Sequence, residues 1–93
     1  MKLPVNYNEL DYTARKKVRE EYVRLQKWLC YYCGNHLTGP SSDEVIGKTI
    51  NKRLFPDGFF NWPVHLHHDH KTGMTIGATH CHCNAVLWQY HGE

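Results

Sequence analysis

The sequence contains no apolar run of membrane-spanning length, which argues against a transmembrane helix. Met1-Lys2-Leu3-Pro4 leads straight into polar sequence, so no secretory leader and no membrane partner are expected. There is no internal repeat and no low-complexity tract. A strong net charge is also missing: the formal value is +2, so overall charge does not select a partner. The chain has 93 residues, which predicts a single domain over 1–93. A chain this short buries a modest core and often needs a covalent or metal staple.

Four cysteines are present, Cys30, Cys33, Cys81 and Cys83. They could form two disulfides or a metal site. Without a leader, a reducing cytoplasm is the expected setting. There, paired cysteines read as metal ligands.

Charge is distributed unevenly. Arg15, Lys16, Lys17, Arg19, Arg24 and Lys27 make up six of the 11 Lys and Arg, against Glu20 and Glu21 nearby. Such a cluster suits phosphates, and Arg15, Lys16 and Arg19 are candidate DNA contacts. A plain solvated helix face is the competing reading.

Residues 1–8 read as an irregular lead-in, and 1–29 as an N-terminal helical unit. The helix itself is predicted from about Asp11 or Thr13 to Trp28. Ala14, Val18, Tyr22, Leu25 and Trp28 (or Leu29) recur at three- and four-residue steps and make one apolar stripe. Cys30-Tyr31-Tyr32-Cys33-Gly34-Asn35 reads as a tight turn. Residues 36–63 form an insertion. Within it, Ser41 and Glu44 have capping-box spacing, which predicts a short helix running to about Leu54. Pro56-Asp57-Gly58 breaks it. Phe59, Phe60 and Trp62 are expected to cover the core. Val64–His68 alternates as a strand, Lys71-Thr72-Gly73 signals a turn, and Met74–Ala78 would complete a hairpin. Ala85 to Tyr90 reads as a short final helix stopped by Gly92.

Cys30 and Cys33 have C-x2-C spacing, which lets two thiolates chelate one tetrahedral ion. His80 and Cys83, as H-x2-C, repeat that spacing; Cys81 with Cys83, as C-x-C, is the competing pair. The repeated spacing favours a structural zinc on Cys30, Cys33, His80 and Cys83, with Cys81 a bystander thiol. Four protein ligands would close the site, so it should stabilise rather than catalyse.

The run His65-Leu66-His67-His68-Asp69-His70 is costly to bury without a task. Taken together, Cys30-x2-Cys33, this run, and Gly77-x2-His80-x2-Cys83-Asn84 resemble the HNH nucleases. The pattern looks closest to the recombination endonuclease VII branch and to small HNH proteins of bacteriophages. The resemblance spans residues 30–90, apart from the insertion. It implies a ββα-metal core, in which a hairpin and a helix grip one catalytic divalent ion. On the matching positions, His68 would be the general base, and His67 and Asn84 would hold the catalytic ion. His65, Asp69 and His70 would orient the base or meet the scissile phosphate. Two positions depart from the branch: His67 replaces an aspartate, and His80 replaces a cysteine. Imidazole is softer than carboxylate, so manganese, nickel or zinc should serve more readily than magnesium. Lys71, in the hairpin turn, is a candidate phosphate contact or an ordinary turn lysine.

The chemistry is coherent without the family name. Phosphodiester hydrolysis at neutral pH needs a base of histidine type and positive charge beside the developing oxyanion. The expected architecture is thus small α+β: a ββα-metal core with an N-terminal basic helix and a structural zinc. The expected activity is an endonuclease that nicks or cuts double-stranded DNA with little sequence preference, as a monomer or homodimer. The resemblance also allows phage roles, among them packaging beside a terminase, homing and junction resolution. Two competing readings are a zinc-stapled DNA-binding module and a metal-storage protein. Neither accounts as well for both the basic helix and the histidine run.

Overall fold

The computed structural model describes residues 1–93. Helix α1 spans Tyr12–Leu25, α2 Asp43–Ile46 and α3 Cys81–His91; strands β1, Val64–His68, and β2, Thr75–His80, form one antiparallel sheet. The result is a small α+β fold in which hairpin and third helix follow each other directly. No helix is long and apolar enough to cross a membrane.

Helix α1 starts where Asp11 caps it, its carboxylate accepting from the Ala14 N–H at 2.8 Å. Its buried side chains are Val18 and Val23, and Tyr22 is half-buried. The helix ends at Leu25, three residues before the expected Trp28. Lys27 and Trp28 adopt left-handed φ values of 56° and 65°, which no side chain signals in advance. Leu25 already faces solvent within the helix, the reversal leaves Trp28 and Leu29 exposed as well, and Val23 fills the core instead. It also delivers Cys30, whose N–H donates to the Asn35 carbonyl at 2.9 Å.

Gln26, at the helix end, ties α1 to β2. Its Oε1 accepts from the Ala78 N–H at 2.8 Å, and its Nε2 donates to the Ala78 carbonyl at 2.9 Å. Gly77 lies beneath this clasp: a Cβ there would sit 2.8 Å from Gln26 Oε1 and 3.1 Å from the Tyr31 ring.

The strands pair Val64 with His80, His65 with Thr79, Leu66 with Ala78 and His67 with Gly77. The register then slips, and His68 pairs with Thr75. Strand β2 therefore runs later than the expected Met74–Ala78, ending on His80. In the turn, Asp69 Oδ1 accepts from the Lys71 and Thr72 N–H groups at 2.7 and 2.9 Å. The lead-in is also ordered. Thr75 N–H donates to the Val5 carbonyl at 2.9 Å, Tyr7 N–H to the Gly73 carbonyl at 2.8 Å, and Tyr7–Glu9 forms a 3-10 turn. The N-terminal segment is thus strapped along the hairpin.

The expected capping box is displaced by one residue. Ser42 caps α2, accepting from the Val45 N–H at 3.4 Å, while Ser41 is buried and faces the Cys83 thiol. The helix stops at Ile46, because Gly47 closes it, rather than continuing to Leu54. The rest of the insertion lies on α3: Tyr90 Oη and Gln89 Nε2 both donate to the Thr49 carbonyl, at 2.7 and 3.0 Å. Phe55 packs edge-on against Phe60 and Trp88. Phe59 and Phe60 are half-buried as expected, but Trp62 is 65% exposed and does not cover the core.

Helix α3 begins at Cys81, earlier than Ala85, and ends at Gly92 with φ 70°. Its early start follows from His80 leaving the sheet in an extended conformation as the N-cap. The core it closes is small: Val23, Cys30, Leu37, Val45, Ala78, Cys83 and Val86. Only 19 of 93 residues are buried, so apolar burial alone leaves little margin against chain entropy.

Candidate functional site

Two groups of ligand-type side chains flank the hairpin. The first stands where the C-x2-C turn meets the end of β2. All four cysteines are free thiols. Ligand atoms of Cys30, Cys33, His80 and Cys83 all lie within 4.8 Å of one another. His80 Nδ1 is 3.4 Å from Cys33 Sγ and 3.6 Å from Cys83 Sγ. Ligands around a tetrahedral zinc with bonds of about 2.0–2.3 Å stand about 3.5 Å apart. The cluster is therefore compatible with one zinc ion.

Hydrogen bonds prepare these donors. The His36 carbonyl can only accept, so His80 Nε2, 3.0 Å away, carries the proton. That leaves the Nδ1 lone pair aimed at the thiols, an orientation that outer hydrogen bonds commonly impose on metal-binding histidines. The Cys30 thiol is pushed down to about 4, first by a hydrogen bond from the Cys83 thiol and then by backbone N–H groups, against the opposing effect of burial. Cys83 is pushed up, first by that same pairing with Cys30 and then by burial. A thiolate is thus favoured inside the cluster. Cys81 lies outside it, buried, with burial raising its thiol. Between the two sequence alternatives, the geometry selects His80.

The second group is built on β1 and α3, and it forms a directed chain. The Phe59 carbonyl, as an acceptor, fixes the proton on His65 Nε2 at 2.8 Å. His65 Nδ1 is then an acceptor, and Asn84 Nδ2 donates to it at 3.1 Å. The Asn84 amide is thereby oriented, with Oδ1 turned to His67 Nδ1 at 3.2 Å. His67 is 1% exposed, and its Nε2 has no hydrogen-bond partner. Asn84 lies inside α3 and is not its cap.

His68 follows the register slip, which re-aims it relative to a regular strand. Its ring stacks on Tyr7 with centroids 3.9 Å apart and planes 5° apart. The Arg15 guanidinium covers Tyr7 at 3.8 Å from the ring centroid. His70 stands beside His68 at 4.8 Å, centroid to centroid. Burial lowers the pKa of His65, His67 and His68; for His68, the neighbouring His70 and His67 lower it further. All three are therefore neutral imidazoles at pH 7, the form that binds metals or accepts protons.

An open cavity of about 450 Å³ joins these parts: Arg15, Arg19, His65, His68, His70 and Asn84 all line it. The molecule's sole ion pair joins Arg24 to Glu21, so both cavity arginines lack a carboxylate partner. The other sequence candidates stand apart. Lys16 is exposed on α1 and does not line the cavity. Asp69 is engaged in the hairpin turn, and Lys71 is exposed beside it; both line a smaller depression with the C-terminal residues.

Three contributors escape sequence reasoning. Tyr7 carries no motif, and its contact with His68 depends on the N-terminal strap. The Phe59 carbonyl is backbone and has no sequence signature. His36 looks idle as a side chain, yet its carbonyl orients His80. Compared with known proteins, the chain matches no family model, no curated protein and no solved structure.

Proposed function

We propose that this chain is a metal-dependent DNA endonuclease of HNH type, with the hairpin and α3 as its ββα-metal core. The observation that carries the reading is the hydrogen-bond chain through His65 and Asn84. It sets a carbonyl oxygen facing a neutral imidazole nitrogen, next to a histidine-lined cavity with two guanidiniums that have no carboxylate partner.

The donor set fits a catalytic cation. His67 Nδ1 and Asn84 Oδ1, 3.2 Å apart, stand close to the ~3.0 Å separation of adjacent ligands on an octahedral ion with bonds of about 2.1 Å, and the ion would take the place of the proton that Nδ1 otherwise donates to Oδ1. One nitrogen and one amide oxygen suit manganese, nickel, zinc or magnesium, with the nitrogen favouring the first three. When bound, such an ion supplies positive charge to the phosphate oxygens.

The chain's own residues do the rest. His68, neutral and half-buried, takes a proton from the attacking water. Tyr7 holds the imidazole in one plane by stacking, and His70 lies near enough to relay the proton outward. Arg15 and Arg19 hold the phosphate at the cavity mouth, a sequence-independent contact. His65 contributes indirectly by fixing the Asn84 amide. The three-cysteine, one-histidine cluster binds zinc and holds β2 to the C-x2-C turn. DNA is the substrate, and a duplex is cut one strand at a time by a monomer or on both strands by two copies. A role beside a phage terminase is one setting for such an enzyme.

The test is plasmid nicking by zinc-retaining protein stripped of weakly held ions. Nicking should return on adding manganese or nickel, and less with magnesium. DNA binding without nicking under any ion would instead assign the chain as a zinc-stapled binding module.

A further inference from the structure

The cavity beside His68 is more aromatic than a phosphate clamp requires. Besides its arginines and histidines, it is lined by Tyr12, Phe55, Phe59, Trp62 and Trp88. Its rim rings expose much of their surface: Tyr12 is 74% exposed, Trp62 65% and Trp88 39%. Phe55 and Phe59 close the floor, with centroids 4.7 Å apart. The cavity volume, about 450 Å³, lies in the ~300–1,000 Å³ range of sites that take one small molecule or cofactor.

Charge narrows the choice of occupant. Arg15 and Arg19 line the same cavity and have no acidic partner, and no carboxylate lines it at all. An apolar peptide would leave both guanidiniums without a counter-charge. An isolated phosphate would leave the aromatic surface unused. A nucleotide satisfies both, with its phosphate on the arginines and its base against the rings. A base within a duplex cannot do this, since both its faces are already stacked on its neighbours.

We infer that this cleft receives an unpaired nucleobase next to the bound phosphate, so that the chain prefers single-stranded DNA over fully paired duplex. Trp62 is the main stacking platform. It is the more exposed of the cavity's two indole rings, and no other aromatic ring stacks on it. Fully paired DNA is then a poorer substrate, used when a base at the cut site leaves the stack. The inference uses the nuclease reading only to call the bound phosphate scissile; the cleft and its ligand class stand on the cavity itself.

The test is fluorescence anisotropy with a short labelled single strand and the same strand as a duplex, both on zinc-retaining protein stripped of weakly held ions, so that the DNA is not cut. The single strand should bind at least about tenfold more tightly, and Trp62→Ala should remove about tenfold of its affinity while duplex binding changes less than twofold. Trp62→Phe should restore most of the loss. Because Trp62 is exposed, unchanged circular dichroism is expected for both variants. Equal affinity for the two DNAs, or equal loss on both with Trp62→Ala, would overturn the inference. The two readings fail separately. Trp62-dependent single-strand binding without metal-dependent nicking would sink the nuclease and keep the cleft. Nicking with Trp62-independent binding would do the reverse.

Discussion

The two ligand groups use the same kind of side chain to opposite ends. At the cysteine cluster, His80 shows its Nδ1 to three sulfurs, and its Nε2 is spent on the His36 carbonyl. Every donor faces inward, so a bound ion has no free position. At the histidine group, His67 meets only one further donor, Asn84, and that donor lines an open cavity. An ion held there keeps most of its positions for water and phosphate. A backbone carbonyl orients His80 at the first site and His65 at the second, whereas His67 is held by burial and by Asn84 alone. What separates structure from chemistry is how many neighbours share the ion and whether solvent can enter.

The largest effect should come from breaking the closed site. Zinc binding at such clusters amounts to about 10–16 kcal/mol, against about 5–15 kcal/mol of total stability for a typical domain. Chelating the zinc, or introducing Cys83→Ser, should therefore unfold the chain globally, read as loss of far-UV circular dichroism. A chelated protein that keeps its helical signal would mean that the small core suffices alone.

Breaking the open site should leave the fold intact. His68→Ala should lower nicking by about a hundredfold or more, the usual contribution of a general base, with zinc content and melting temperature nearly unchanged. A parallel loss of zinc would show that the two sites are not independent.

Gly77→Ala strikes the frame between them. The new Cβ would press on Gln26 Oε1 and Tyr31, where α1 is clasped to β2. A stability loss of about 1–3 kcal/mol is expected from denaturant melts. No change would show that the clasp yields freely.

Acidity should distinguish the groups more gently. Burial lowers the pKa of His65 and His67 in the folded state from an unfolded value of 6.5. Above 6.5 both states are neutral at these positions, and their contribution to stability is complete. As pH falls below it, the unfolded chain takes up protons that the folded chain resists, so stability declines. Urea midpoints at pH 7.5 and pH 6 should show a lower value at pH 6. Equal midpoints would mean that these imidazoles are as free to protonate in the fold as outside it.

These sites were not equally legible in the sequence. The cysteine cluster could be read because its geometry is local. Two residues between ligands fix each half, and repetition of that spacing chose His80 over Cys81. The hairpin and α3 were legible from alternation and from the stop at Gly92, though their limits moved by several residues. Ser41 looked like a cap because capping chemistry is local, yet its hydroxyl is drawn to Cys83, far along the chain. The end of α1 was hidden because Lys27 and Trp28 are residues that rarely turn left-handed. Most of what orients the histidines was also hidden. Tyr7 meets His68 across some sixty residues, and Phe59 acts through its carbonyl. The ligand types were therefore visible in the residues, while their aim was set by long-range contacts with no periodic signature.

The proposed function needs two metal sites on one chain, a closed one for zinc and a separate open one for an exchangeable ion. Native mass spectrometry after brief chelation, followed by manganese titration, tests it most directly. One retained zinc and one reversibly bound manganese are expected, with the manganese alone lost in a His67→Ala, Asn84→Ala double variant. A protein that takes up no second ion, or a double variant that binds it undiminished, would contradict the account.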